Sequence, residues 1–208
     1  MKIILNKKKI YAEKTLDKCR DLSGDVWDEF MRQAIIEIHQ KQQEKIIHVE
    51  KTLPTALKLF NVNQPFTVIY QAQKQSFDLD IENYQLFVSD RQPEAYLKAC
   101  VIAYAKLHLP LYLQEVSQSC HLPYGKCAIR QPKTRWGSCT SKHDIMLNSG
   151  LVLFPKEVVR YVAVHELAHT KHFDHSSKFW AEVEKYDVNF QQHRKTLKSS
   201  SMPWWWNC

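Results

Sequence analysis

Apolar residues recur at helical spacing over residues 26–48, where Val26, Phe30, Ala34, Ile35 and Ile38 fall on one face and neither Pro nor Gly interrupts; the spacing predicts a long helix. Ahead of it, residues 2–5 and 9–11 suit a small hairpin. Pro54 breaks the helix, and residues 55–60 read as a further short helical piece. The period then changes. Residues 66–70, 76–81 and 84–88 are short runs rich in β-branched and aromatic side chains, separated by polar turns, and they predict a β-meander. Pro93 opens a helix through Tyr96, Ala99, Cys100, Ala103, Tyr104 and Leu107, which Pro110 bends or ends, with a further helical stretch to Val116. Strands are expected again at 126–130, 136–139 and 145–148. The next helix begins near Pro155 and is apolar nearly all round, through Val158, Val159, Tyr161, Val162, Ala163, Val164 and Leu167, so it belongs in a core. Ser176 is a good N-cap for a helix through Phe179, Trp180 and Val183 to about Tyr186. The expected architecture is α+β: a small antiparallel sheet packed against the helix that starts near Pro155 and against further helices. The expected organisation is an N-terminal extension over 1–60, mainly the long helix, a folded domain over 61–190 and a C-terminal tail over 191–208.

With 208 residues, 44% apolar and 25% charged, the chain is long enough to bury a core without staples. Its longest central apolar run, residues 99–105, is too short to span a bilayer. The start of the chain lacks the apolar segment of about 7 to 15 residues that a secretory signal requires, so a cytoplasmic protein with no membrane partner is expected. The six cysteines are scattered and suit thiols in a reducing compartment. Cys120-His121 with Cys127 is half of a structural metal pattern that no second pair completes. Trp204, Trp205 and Trp206 read as a tail that docks on the body of the protein or as a sticky patch for a partner. Charge is uneven: residues 1–120 hold 16 Lys and Arg against 15 Asp and Glu, residues 121–208 hold 13 against 7. The basic C-terminal half is therefore a candidate surface for nucleic acid or acidic proteins, or simply a solvated face.

The chemistry concentrates in His165-Glu166-Leu167-Ala168-His169. Residues four apart on a helix share a face, so His165 and His169 can present two imidazoles to one ion, with Glu166 beside them. A catalytic zinc takes three protein ligands and leaves a position for water, whose pKa falls to about 7. His175 lies far enough beyond His169 for the chain to leave the helix and turn back, and it is the expected third ligand; His172 is the backup. A buried Glu with two His would be costly without a metal or other partners. One zinc ion per chain is expected.

Thr134-Arg135-Trp136-Gly137-Ser138-Cys139, Leu147-Asn148, Leu151, Tyr161-Val162, the H-E-x-x-H stretch, and His175-Ser176 with Phe179-Trp180 closely resemble the YgjP-like zinc metallopeptidases, a family similar to the SprT-like and WLM groups. The match spans about residues 90–190. The resemblance implies a zincin-like fold, zinc on His165, His169 and His175, Glu166 as catalytic acid and base, and residues 135–139 on a strand or turn near the cleft. The metzincin pattern H-E-x-x-H-x-x-G-x-x-H puts its third His at the same distance, but His172 stands where that pattern has Gly, which argues against a positive-φ turn there.

The function expected is zinc-dependent hydrolysis of a peptide or protein substrate, with Glu166 taking a proton from a metal-activated water. Arg135, then Tyr161 and His172, are candidates to stabilise the oxyanion. An extended substrate could pair with the 145–148 strand if that strand is an edge. The alternative from another class is a zinc-stabilised adaptor that recruits a partner or nucleic acid through its basic surface. A structural site, however, needs no base and usually closes with a fourth protein ligand.

Overall fold

The computed structural model describes Gln33 and residues 51–207. The expected hairpin at 2–11 and helix at 26–48 lie outside the described residues, as do Cys19 and Cys208.

Phe66 and Val68 are buried while Thr67 between them is exposed, the period-two pattern of a strand lying on a core. That strand, β2 (Phe66–Gln71), joins β1 (Ala56–Leu57), β3 (Phe77–Asp80) and β4 (Gln85–Ser89) in a sheet of order β1-β2-β4-β3. The three expected strands are present, but they do not form a meander. β4 inserts between β2 and β3 and runs parallel to β2. Burial explains the order: Leu86 and Val88 of β4 are fully enclosed, whereas β3 has no fully buried residue and takes the edge. The loop between β2 and β3 is tied to the end of β4, where the Arg91 guanidinium donates to the Gln73 and Lys74 carbonyls at 2.7 Å each. Residues 55–60, expected as helix, instead supply β1, which pairs antiparallel with β2, and the Phe60 N–H donates to the Val152 carbonyl at 2.9 Å. Long-range pairing outweighs a weak local helical preference here.

Pro93 opens α1 (Pro93–Cys120) as expected. Pro110 neither ends the helix nor stops its packing. It removes one backbone bond, but buried Leu109, Tyr112, Leu113 and Val116 carry the helix on to His121, whose left-handed φ of 55° closes it. The second sheet contains β5 (Cys127–Arg130), β6 (Gly137–Cys139) and β7 (Ile145–Asn148) in the order β5-β7-β6. β5 is parallel and β6 antiparallel to β7. Both sheets are thus mixed rather than purely antiparallel. The 145–148 strand is central, with Ile145, Leu147 and Asn148 buried, so it cannot receive a substrate strand; β6 is an edge.

After a 3₁₀ turn at Ser149–Leu153 come α2 (Lys156–Ala168), α3 (Ser177–Tyr186) and α4 (Phe190–Ser199). α2 packs against β6, β7 and α1, so the helix carrying H-E-x-x-H lies under a small sheet in an α+β arrangement. Among the described residues no helix is long and apolar enough to cross a membrane. The chain reaches a second 3₁₀ turn at Trp204–Asn207, where Trp205 and Trp206 are 4% and 9% exposed. The tryptophans therefore dock on the body, against α1 and Gly150. Truncating one of them leaves a cavity, so Trp205→Ala is expected to lower stability to urea by about 3 kcal/mol; an unchanged midpoint would mean that the tail adds nothing to the fold.

Candidate metal centre

α2 starts at Lys156 with Pro155 as its N-cap and ends at Ala168, and His169 keeps right-handed helical angles one residue past the end. His165 and His169 therefore stay one turn apart. The chain then tightens: the Lys171 and His172 N–H groups both donate to the Ala168 carbonyl. His172 does not adopt positive φ; among the described non-glycine residues only Tyr84, His121 and His143 do. Asp174 accepts the Ser176 hydroxyl at 2.7 Å, and Ser176 is the N-cap of α3 as expected. This turn brings His175 back over α2.

Each of His165, His169 and His175 offers a ligand atom within 4.8 Å of the others. The Nε2 atoms of His165 and His175 stand 3.3 Å apart. Two nitrogens bound tetrahedrally to one ion at about 2.0–2.1 Å would be separated by about 3.3 Å, so the spacing fits zinc. His169 Nδ1 lies 2.9 Å from the His172 carbonyl. An N–H on Nδ1 donating there leaves Nε2 with its lone pair free, the outer contact typical of metal-ligating histidines. His165 Nδ1 is buried without a hydrogen-bond partner among the described residues, so Nε2 is the nitrogen it can present. Burial, with His169 and His175 adding to it, holds the His165 imidazole down at about 3, and burial also lowers His169. Both are thus neutral at pH 7, the form that binds metal. His175 is exposed, so the cluster opens to solvent on that side.

Phe179 fixes the three rings. It is fully buried, stacks on His169 at 4.4 Å, and meets His165 and His175 edge-on at 4.9 Å each. Trp180 stacks on Phe190 at 5.4 Å, lies 5.7 Å from His175, and carries the Arg194 guanidinium 4.9 Å over its ring. Helix spacing on α3 puts these two aromatics where they set the position of His175.

Glu166 is 6% exposed and lies under β6. Burial pushes its carboxyl up to about 8, while Arg135 acts in the opposite sense; a cation beside it would favour the ionised form further. The carboxylate fits there because residue 137 is glycine. A Cβ on Gly137 would stand 2.6 Å from Glu166 Cγ and 2.7 Å from Cδ. Cys139, two residues on along β6, feels the same carboxylate, and burial raises its thiol to about 11. Arg135 stands on the loop entering β6, in electrostatic range of Glu166 but without an ion pair among the described residues. The loop is held from behind: buried Asn148 donates through Nδ2 to the Pro132 and Arg135 carbonyls at 2.9 and 3.1 Å and accepts the Gly150 N–H at 2.9 Å.

His165, His169 and His175 therefore come together, Glu166 follows His165 in α2, and residues 137–139 form a strand over its carboxylate. His172 contributes its carbonyl and lies outside the imidazole cluster. Tyr161 is buried with its ring 5.9 Å from His165, and burial raises its hydroxyl to about 12. Asn148 and Gly137 were missed as site residues. The signal available for Gly137 was its rarity, one of 4 glycines in the chain, placed inside a strand pattern where glycine marks close approach.

The family described as YgjP-like, metallopeptidase domain, matches residues 19–200. Two solved structures resemble part of the chain. The metallopeptidase zymogen of Pyrococcus abyssi abylysin is 25% identical and covers 45% of this chain and 98% of its own, with a TM-score of 0.38. The corresponding zymogen of Methanocaldococcus jannaschii jannalysin is 22% identical and covers 43% and 95%, with a TM-score of 0.37. No curated protein matches.

Proposed function

The chain belongs to the YgjP-like metallopeptidase family, and on that premise we propose that it hydrolyses peptide bonds with one zinc ion held by His165, His169 and His175 and with Glu166 as general base. The observation that carries this reading is the convergence of three imidazoles beside a buried carboxylate, open to solvent on the His175 side.

Zinc bound there would polarise a carbonyl and bring the pKa of a water down to about 7. The rest is the work of the chain. Glu166, set in the space left by Gly137, accepts a proton at a carboxylate oxygen and returns it to the leaving amine. Burial raises its carboxyl, and a cation held by the three histidines would bring it back toward the ionised form that accepts a proton. Arg135 offers positive charge at the entrance to β6, suited to a developing oxyanion.

The substrate is aligned by the edge of β6. The Trp136 carbonyl accepts from Asn148 N–H at 2.8 Å and Thr140 N–H donates to the Asp144 carbonyl at 2.9 Å, so residues 136, 138 and 140 are bonded toward β7. By alternation, the N–H and C=O groups of Gly137 and Cys139 point to the free edge. An extended peptide added there passes directly beside Glu166.

The test is peptide hydrolysis with metal removed and returned. Chelation should abolish cleavage, and one equivalent of zinc per chain should restore it; cleavage that persists in fully demetallated protein would refute the reading.

A further inference from the structure

Two adjoining concavities lie beside the entrance to β6. One, of about 490 Å³, runs between the loop before β6, the docked tail and Lys98 of α1; the other, of about 770 Å³, covers the outer face of the second sheet. They share the loop residues around Arg135. The first has no Asp or Glu in its walls, and the second has only Asp144, whose Oδ1 is already engaged by the Lys126 N–H at 2.8 Å. Arg130, Lys133 and Arg135 thus line one band at the N-terminal end of β6 with no carboxylate within ion-pair distance among the described residues, whereas Lys126 lies at the other end, level with Thr140 and beside Asp144.

Three cations without an ion-pair partner among the described residues repel one another, and that repulsion is relieved when an anion enters. The loop carrying two of them is preset, because Asn148 holds the Pro132 and Arg135 carbonyls; an incoming anion does not have to order it. The location limits what the anion is. The band begins two residues before Gly137, so a peptide lying along β6 runs off into it at the N-terminal end of that strand. Single-stranded nucleic acid would call for exposed aromatic faces on which bases stack. The two tryptophans in these walls are already occupied, Trp136 edge-on against Phe154 at 4.9 Å and Trp206 buried in the docked tail.

We propose that Arg130, Lys133 and Arg135 form a substrate subsite that selects a carboxylate, carried either by an acidic side chain next to the scissile bond or by the C-terminus of the peptide. This rests on the peptidase reading above and specifies its substrate class.

The test uses fluorescent peptides identical except for Glu, Gln or Lys on each side of the scissile bond, each made with a C-terminal carboxylate or amide. Binding is read by anisotropy with the full-length Glu166→Gln protein, and cleavage with wild type. Acidic peptides should bind at least about tenfold more tightly than their Gln counterparts. Lys133→Glu, an exposed change, should bring that ratio to about one and favour the Lys peptides, with an unchanged melting temperature; Arg130→Glu serves as the second variant. A preference that follows the side chain assigns the band to acidic residues, and one that follows the terminus assigns it to the C-terminal carboxylate. Equal binding of all peptides, a ratio unmoved by both variants, or displacement of peptide by a tighter-binding oligonucleotide would overturn the subsite. Preference in binding without cleavage by wild type would instead count against the peptidase reading and leave the subsite standing.

Discussion

Glu166→Gln is expected to retain its metal and to lose peptide hydrolysis by about 10²–10⁴-fold in kcat, the range for a positioned general base. Gln has nearly the same shape as Glu and fits the same gap beneath Gly137, so the fold and the three imidazoles are left as they are. What is removed is the capacity to take up a proton. Metal content and kcat/KM measured on the same preparation separate this from collapse of the site. A variant that cleaves within twofold of wild type would show that Glu166 is not the base, wherever the metal sits.

Gly137→Ala should be nearly as damaging although it adds a single methyl group. The new Cβ would have to stand 2.6 Å from Glu166 Cγ, well inside contact distance, and neither partner can yield freely. β6 is paired with β7 along its length, and Glu166 projects from a buried helix. A displacement of Glu166 by about 1 Å is the expected response, and misplacement on that scale costs about 10²-fold in rate. Overpacking of this kind also destabilises by about 1–3 kcal/mol. The diagnostic outcome is a rate loss in protein that remains folded and metal-loaded at the assay temperature. Full activity would mean that the carboxylate does not work from the position seen here.

These two residues also mark where the sequence is legible and where it is not. His165, Glu166 and His169 could be read as one constellation because helical geometry is local, and the apolar surround from Val158 to Leu167 announced a buried helix. His175 was reachable for a related reason: Ser176, Phe179 and Trp180 signalled a second helix that would fix it. Strand positions were legible in the alternation of Phe66 and Val68 and of Ile145 and Leu147. Strand order was not, because pairing is decided by which strand the core can enclose; β4 and β7 took central places that no local pattern distinguishes. α4 escaped notice because Phe190 is its one buried residue, which leaves almost no periodic signal. The role of Gly137 depends on a side chain 29 positions away, and that of Asn148 on carbonyls 13 and 16 positions away. Such contacts exist only once the chain has folded.

Metal content decides whether His165, His169 and His175 together hold zinc. Zinc per chain should be measured by atomic emission in wild type and in His175→Ala, purified side by side and compared by circular dichroism. Close to one zinc per wild-type chain is expected, with marked loss in a His175→Ala protein that keeps its helical signal. A variant that retains its zinc, or a wild type that binds none when zinc is supplied, would contradict a three-histidine site.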